Sequence, residues 1–502
     1  MRIPRKSGIL LHPTSLPGSG GIGSLGAEAC SFIDFLAVSG QSLWQVLPLG
    51  PTGHGNSPYS CYSAFAGNPL LVNLEMLVEE GDLAAGECKD TGTKHRIDYP
   101  RVQRHKSRLL LKAADAFLAR NDDPRQDEFR HFRETTPWLQ DFALFMALKE
   151  HFNGASWNDW PADIRTRSPH ALIEYAVRLA HEVNLHCYSQ WQFFRQWHRL
   201  KKYANHRGVE VIGDIPLFVA CDSADVWSNP SLFKLDTLGD PTVVAGVPPD
   251  YFSATGQLWG NPLYDWEALA QSGYAWWIER MRSSFGLCDI VRIDHFRGFA
   301  ACWEVPAGEA TAENGQWVDG PGEALFEAVE AALGKLPIIA EDLGVITPDV
   351  LELRDRFGFP GMKILHFAFD SGPDNPYLPH NIERSSVIYT GTHDNDTTVG
   401  WYSQLTDSER QRIRHYLNFP GEEIAWDLIR AALASVADMA IIPLQDLLSL
   451  GSEAKMNAPG TVGGNWSWRY QAGDLNDGHA ARLLDLTEIY GRLAQRHHVL
   501  RK

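Results

Sequence analysis

The feature that most constrains the fold of this chain is a series of short apolar runs separated by helical patterns. Eight runs are rich in Val, Ile and Leu, and each is followed by a loop and then a helical stretch. They lie at residues 8–12, 42–49, 209–217, 289–296, 337–344, 361–369, 386–394 and 439–448. Continuous apolar strands that alternate with helices predict a parallel sheet covered on both faces. Eight such strands close a (β/α)8 TIM barrel, which we favour over a doubly wound open sheet with fewer strands.

Two long stretches between these runs make the chain longer than a minimal barrel. Residues 54–205 are mostly helical and amphipathic. We interpret them as an insertion after the second strand of a single catalytic barrel spanning residues 1–502, because the strand spacing resumes afterwards. Residues 220–275 form a second insertion, whose Pro/Gly/aromatic loop at 245–266 is too long for an ordinary connection and is expected to cover the substrate. About 55 residues follow the last run, which leaves no room for a C-terminal β-sandwich.

Composition limits the partners and the compartment. The chain has 45 basic and 62 acidic residues, and its formal net charge of −17 argues against nucleic acid and anionic membranes as partners. Seven scattered cysteines without CxxC spacing predict neither a disulfide framework nor a zinc site. The first apolar run is too short for a signal peptide, and no stretch approaches the roughly 18 apolar residues of a membrane-spanning helix. We therefore predict a soluble, cytoplasmic protein with a neutral or small substrate.

Four of the apolar runs end in a carboxylate, namely Asp214, Asp294, Glu341 and Asp394. Ionised carboxylates on buried strands are costly unless they are paired, so structural needs rarely place four of them there. In a barrel, the C-terminal ends of the strands meet at one mouth, where active sites form. The pattern therefore predicts an active site built from these four side chains.

Alternation along the fourth run places Arg292 and Asp294 on the same face of the strand. The guanidinium is expected to keep Asp294 ionised, as a nucleophile requires. Glu341 suits a general acid/base if burial and a nearby anion raise its pKa. The structural alternatives are a salt bridge at the barrel rim for the first pair and a helix N-terminal acid for Glu341. His393 beside Asp394 would help to fix substrate hydroxyls, although such a pair is equally often structural.

Six motifs occur in a fixed order along the chain, and several coincide with these strand ends. They are HPTSLPG (12–18), GNSPYS (55–60), GDIPLFV (213–219), DIVRIDHFRG (289–298), IIAEDLG (338–344) and YTGTHDNDT (389–397). The last three look like the conserved regions of the α-amylase superfamily. The amino acids in these three motifs, together with the first three motifs, resemble most closely the 4-α-glucanotransferases of the amylomaltase/disproportionating-enzyme family. The resemblance runs from residue 8 to about residue 470.

This resemblance implies a role for each matching residue. It implies Asp294 as the nucleophile, Glu341 as the acid/base and Asp394 as the carboxylate that stabilises the transition state. The residues that resemble those around the bound glucose ring are Arg292, His393, Ser57, Tyr59 and Asp214, while Asn465 resembles an acceptor-side or barrel-rim position. No cofactor or metal is expected, although the nearby Asp222 and Asp225 leave a calcium site open.

Aromatic residues in the 245–266 loop suggest how a sugar chain is covered. Tyr251, Phe252 and Trp259 lie in a Pro/Gly-rich segment with no hydrophobic periodicity that would bury them. Flat rings with a polar edge suit the apolar faces of glucose units, so we predict that these three bind substrate. The alternative is a role in the core or in a lid hinge.

Taken together, the motifs predict a retaining 4-α-glucanotransferase. The expected donors are maltooligosaccharides, amylose or glycogen-like α-glucans, and the acceptor is the 4-hydroxyl of glucose or another glucan, reached through a covalent glycosyl-aspartate. An amylase-type hydrolase would use the same carboxylates with water as acceptor. A metal-dependent barrel hydrolase is disfavoured because the first strand lacks an HxH pair. A glucan-binding module without catalysis would not need an Arg-Asp/Glu arrangement at its strand ends.

Overall fold

The computed structural model describes residues 5–88, 95–249, 253–461 and 463–493 of the chain. The strands in these ranges are β1 (Lys6–Leu10), β2 (Leu43–Gln45), β3 (Glu210–Pro216), β4 (Val243–Val247), β5 (Gln257–Pro262), β6 (Ile290–Asp294), β7 (Ala301–Pro306), β8 (Gln316–Asp319), β9 (Ile338–Ala340), β10 (Gly361–Ile364), β11 (Ser386–Tyr389) and β12 (Met439–Pro443). The α-helices are α1 (Ala27–Val38), α2 (Leu74–Glu79), α3 (Tyr99–Leu118), α4 (Arg125–Thr135), α5 (Leu139–His151), α6 (Ala162–Arg165), α7 (Pro169–Arg178), α8 (Ala180–His206), α9 (Ala224–Ser228), α10 (Trp266–Gln271), α11 (Ala275–Leu287), α12 (Gly322–Leu333), α13 (Pro348–Phe357), α14 (Thr398–Gln404), α15 (Asp407–Leu417), α16 (Ile424–Ala434), α17 (Leu444–Leu447) and α18 (Asp477–Ile489).

Eight parallel strands close a barrel in the order β1-β2-β3-β6-β9-β10-β11-β12. Each of them overlaps one of the eight apolar runs, so the predicted (β/α)8 barrel is confirmed. The strands consist largely of Val, Ile and Leu, and most of their side chains are buried, as expected for a sheet with both faces covered. After β12, the described residues up to 493 form helices α17 and α18 and no further strand.

Helices α2–α8 connect β2 to β3. The longest of them, α8, packs against α3 and α5 through an apolar core that contains Phe117, Phe145 and Trp191. The loop that leads into these helices returns to the barrel mouth and brings Ser57 and Tyr59 there. No helix in the described ranges is long and apolar enough to cross a membrane.

A second sheet, which the pattern of apolar runs does not predict, lies beside the barrel. Its four antiparallel strands have the order β5-β4-β7-β8, so the 245–266 segment contains two strands and is not simply an irregular loop. Glycine and proline in this segment obscure the strand pattern, and the hydrogen-bonding partner β7 lies some 50 residues further along the chain. Gly246 is needed there because a Cβ at this position would lie 2.7 Å from the Gln257 carbonyl oxygen. The connection from β6 to β7 is short, so the sheet sits next to Asp294.

Candidate active site

Arg292 joins two carboxylates inside the barrel mouth. The register between β3 and β6 pairs Asp214 with Arg292, which places both side chains on the same face of the sheet. Arg292 Nη1 donates to both carboxylate oxygens of Asp214 at 2.7 Å, and Nη2 donates to Asp294 Oδ1 at 2.8 Å. Burial alone would lower the pKa of Arg292, but Asp214 and Asp294 raise it well above its ordinary value. The predicted pairing of Arg292 with Asp294 is therefore present.

Glu341 follows β9 and is held against His295, the first residue after β6. Its Oε2 accepts a hydrogen bond from the backbone N–H of His295 at 2.7 Å, and its Oε1 accepts one from Leu343 N at 3.1 Å. His295 has a left-handed backbone (φ 53°) at the point where β6 ends. Burial and the negative charge of Asp294 raise the pKa of Glu341 to about 8, as an acid/base requires. This shift favours the protonated form of Glu341, the form that can donate a proton.

Asp394 lies on the loop between β11 and α14, and not at a strand end as the sequence analysis expected. The strand stops at Tyr389, five residues earlier. Asn457 Nδ2 donates to Asp394 Oδ1 at 2.7 Å, and His393 Nε2 is 3.4 Å from Oδ2. Burial acts to raise the pKa of Asp394, but His393 and Asn457 lower it to about 2. The ionised carboxylate remains 45% exposed and faces the open mouth.

His393 is buried behind this carboxylate and packs against two aromatic rings. Burial acts to lower its pKa, but Asp394 outweighs this and raises it. Tyr59 stacks on His393 with a centroid separation of 5.1 Å and an interplanar angle of 12°. The Tyr59 hydroxyl donates to Asp214 Oδ2 at 2.7 Å, and its backbone N–H donates to Ser57 Oγ at 3.2 Å. Trp466 lies 5.9 Å from both Tyr59 and His393 and completes this wall of the mouth.

Trp259 lies on β5, on the side of the mouth formed by the second sheet. Its side chain is 38% exposed, and its indole ring meets His295 edge to face at a centroid distance of 4.7 Å. Trp259 thus contacts His295, the residue that follows Asp294, while its side chain remains partly open to solvent. Tyr251 and Phe252 fall outside the described residues.

Asn465 plays a local role in its own loop. Its Oδ1 accepts a hydrogen bond from Ala458 N at 3.1 Å, and its Nδ2 donates to the carbonyl and hydroxyl oxygens of Thr461 at 3.2 Å. These bonds close the loop that carries the neighbouring Trp466. The side chain that reaches Tyr59 and His393 from this segment is thus Trp466, and Asn465 supports it.

Three site residues were absent from the sequence-based set. His295 was recognisable in principle, because it directly follows Asp294 in the motif. Trp466 was one of several loop tryptophans, with no local pattern to separate it from those in the core. Asn457 had no sequence signal, because its partner Asp394 lies 63 positions earlier.

Asp222 and Asp225, the two acidic residues considered above for a calcium site, are bonded to other parts of the protein. Asp222 forms an ion pair with Lys149 of α5 at 2.5 Å. Asp225 Oδ2 accepts a hydrogen bond from Ala64 N at 2.8 Å. Within the described ranges, no group of three or more His, Cys, Asp and Glu side chains is arranged to hold a metal ion. Asp222 and Asp225 thus connect the second insertion to the helices after β2.

Comparison with known proteins relates nearly the whole chain to one family. Residues 11–475 match the family model described as 4-alpha-glucanotransferase. A 4-alpha-glucanotransferase of Synechocystis sp. is 54% identical over 97% of this chain and 98% of its own length. One from Thermus thermophilus is 51% identical over 98% of this chain and all of its own. Among solved structures, the amylomaltase from Streptococcus agalactiae in complex with acarbose has a TM-score of 0.95 and 40% identity, covering 98% of this chain and 100% of that chain.

Proposed function

Because the chain belongs to the 4-alpha-glucanotransferase family, we propose that it transfers α-1,4-glucan segments by a retaining double displacement. Asp294 is the nucleophile and Glu341 is the general acid/base. The observation that carries this assignment is the geometry of the two carboxyl groups: Asp294 accepts a hydrogen bond from Arg292 Nη2, and Glu341, whose pKa is raised by burial and by Asp294, is held by the backbone N–H of His295. One proton donor beside one anion is what the first step requires.

In the first half-reaction, Glu341 gives its proton to the glycosidic oxygen while Asp294 attacks the anomeric carbon. The bond between that carbon and oxygen breaks, and the shortened glucan leaves with the proton. Formation of the glycosyl ester removes the negative charge of Asp294. Because that charge raises the pKa of Glu341, its loss lowers this pKa and prepares Glu341 to act as a base.

In the second half-reaction, Glu341 takes the proton from the 4-hydroxyl of an incoming glucan. The oxygen attacks the anomeric carbon from the face that the leaving group vacated, and Asp294 is released. Two inversions give net retention. The α-linkage of the donor is therefore reproduced in the product.

Asp394 is suited to stabilise the positive charge that develops on the sugar ring. It is ionised, exposed towards the mouth and held by Asn457 and His393. A fixed anion near an oxocarbenium-like transition state lowers its energy without reorganisation. Arg292 has both Nη atoms engaged by Asp214 and Asp294, so we assign it to holding the nucleophile in place.

The choice of acceptor separates a transferase from a hydrolase, and maltotriose alone tests it. Water is present at about 55 M, so a transferase must hold the sugar hydroxyl at an effective molarity that reaches ~10⁵ M or more. The helices after β2 and the second sheet are the walls that exclude water here. We expect free glucose together with a ladder of longer maltooligosaccharides, while total reducing ends stay nearly constant. Reducing ends that increase in step with maltotriose consumption would instead support an amylase-type hydrolase.

Trimming Trp259 to alanine should impair the use of saccharide acceptors more than the cleavage of an activated donor. The indole is exposed at the mouth, and loss of stacking costs about 0.5–1.5 kcal/mol, or roughly 2–10-fold in the transfer rate. Rates with a maltosyl fluoride donor, measured with and without added glucose, separate the two steps. Trp317→Ala is the matched control, because Trp317 is 42% exposed on β8 of the same sheet. Equal losses in both steps for Trp259→Ala would assign the ring to structural packing.

A further inference from the structure

One buried carboxylate joins both ends of the loop that carries His393 and Asp394, in addition to the hydrogen bonds that Asn457 makes to these two residues. The loop begins at Thr390, directly after β11, and ends at Thr398, the first residue of α14. Asp446 lies on α17, which follows the neighbouring barrel strand β12. Its Oδ2 accepts from Thr390 Oγ1 at 2.5 Å and from Thr398 Oγ1 at 2.8 Å, and its Oδ1 accepts from Thr398 N at 2.7 Å. One side chain thus accepts hydrogen bonds from both ends of the loop.

The hydrogen bonds to Asp446 are not needed to cap the N-terminus of α14. The N-terminus of α14 is already capped by Thr397, whose hydroxyl accepts a hydrogen bond from Gly400 N at 3.1 Å. Asp446, Thr390 and Thr398 are all fully or almost fully buried, and the three donors to the carboxylate are neutral. Burying a carboxylate is costly even with three hydrogen bonds. The contact specific to Asp446 is the link from α14 back to Thr390.

The Thr398 hydroxyl is oriented from its other side by His366. The ring nitrogen Nε2 of His366 lies 2.9 Å from Thr398 Oγ1. Because the hydroxyl donates its proton to Asp446, the hydrogen bond from His366 requires a protonated Nε2. His366 stacks on Trp401 of α14 at a centroid distance of 4.5 Å and an angle of 11°. The end of the loop is therefore fixed by packing as well as by hydrogen bonds.

The loop itself is kept in shape by short local bonds. Asn395 Oδ1 accepts from Thr392 N at 2.8 Å and from its hydroxyl at 2.9 Å, and Asp394 N donates to Thr392 Oγ1 at 3.3 Å. These bonds set the internal conformation but do not connect the loop to the barrel. Asp446 connects both ends of the loop to α17, which follows β12, the strand next to β11.

We propose that Asp446 is a positioning residue that holds the 390–398 segment so that the carboxylate of Asp394 faces the sugar at the mouth. The inference rests on the proposed function of Asp394. It assigns to Asp446 an effect on transition-state stabilisation without any contact with substrate. A misplaced Asp394 weakens binding of a transition-state-like sugar more than binding of the ground-state chain.

The test measures maltotriose kinetics and calorimetric acarbose affinity for Asp446→Asn, Asp394→Asn and the double variant. Acarbose is the ligand in the solved relative from Streptococcus agalactiae. For Asp446→Asn we expect kcat to fall about 10–100-fold with KM changed less than about 3-fold, because the loss occurs in the transition state. Acarbose affinity should fall about 10-fold. In the Asp394→Asn background, Asp446→Asn should cause no further loss of affinity, because residues that act as one unit are not additive.

Two further variants separate positioning from stability. Thr390→Val removes one hydroxyl from Asp446 with little change in shape, and Thr390→Ser restores it, so the valine variant should lose kcat and the serine variant recover most of it. This pair also carries the test if Asp446→Asn fails to fold. Asp82→Asn is the matched control, because Asp82 is a buried carboxylate that accepts a hydrogen bond from Tyr188 far from the mouth. It should lower the melting temperature without changing acarbose affinity.

The outcomes are distinguishable. Additive losses of acarbose affinity in the double variant, or a Thr390→Val variant with normal kcat, would overturn the positioning role and leave the proposed function intact. If Asp394→Asn alone changes neither turnover nor acarbose affinity, the assignment of Asp394 fails and the inference fails with it. A non-additive double variant together with recovery by Thr390→Ser supports the proposal.

Discussion

Replacing Asp294 with asparagine should reduce maltotriose turnover by about 10⁴-fold or more while leaving the fold and acarbose binding largely unchanged. The amide has nearly the same shape as the carboxylate, and its oxygen can still accept the hydrogen bond from Arg292 Nη2. It cannot form the glycosyl ester, so the first half-reaction stops. Product chromatography measures turnover, and calorimetry with acarbose checks that the binding site persists.

An exposed position gives the control for this substitution. Asp407 lies in the first turn of α15, and its side chain is fully open to solvent. Asp407→Asn makes the same chemical change on the surface and should leave turnover unaltered. Retention of more than about a tenth of the activity by Asp294→Asn would show that another group is the nucleophile.

Glutamine at position 341 should slow maltotriose transfer by about 10²–10⁴-fold, the usual contribution of a general acid. An activated aryl glycoside needs little protonation, so its first step should still proceed. The second step lacks a base, and the glycosyl ester on Asp294 should therefore accumulate. Intact-mass spectra of Glu341→Gln incubated with such a donor should show the protein plus one glycosyl unit, and no adduct under these conditions would count against the acid/base role.

We expect the same residue to determine the alkaline limb of the pH profile. Burial and Asp294 raise the pKa of Glu341 to about 8, and the acid form is required for the first step. The rate with maltotriose should therefore fall as pH rises through about 8. With an aryl donor, formation of the adduct by Glu341→Gln should not show this limb, because glutamine does not ionise. A limb of equal size in the variant would assign the titration to a different group.

Much of the fold follows from the strand pattern. All eight barrel strands overlap apolar runs, because a strand covered on both faces is mostly apolar, apart from paired polar side chains such as Asp214 and Arg292. The second sheet was not predicted, because only β4 is a continuous apolar run, while β5, β7 and β8 mix polar with apolar residues. Strand β5 is mostly exposed, and β4 pairs with β7 from beyond the next barrel strand. Its stability depends on tertiary partners, which local sequence does not report.

The residues of the functional site show a similar difference, between those on barrel strands and those on loops. Residues on barrel strands were predictable, since alternation alone put Arg292 beside Asp294. The placement of residues on loops does not follow from spacing, because loop geometry depends on side chains from distant segments. Ser57 and Tyr59 were expected at the site only from the family resemblance. Asp394 lies five residues beyond its strand, in a position set by Asn457 and by the link from Asp446 to Thr390. None of these partners is recognisable from spacing along the chain.

The hydrogen bond from the His295 backbone to Glu341 has a consequence for how this site tolerates sequence change. Every amino acid except proline supplies a backbone N–H, so the bond itself does not depend on the imidazole. Only the left-handed conformation is demanding, and glycine or asparagine adopts it readily. Residues that adopt this conformation could therefore replace His295 without loss of the backbone hydrogen bond that holds Glu341 beside β6. What such a replacement would lose is the packing of the imidazole against Trp259 and Phe218.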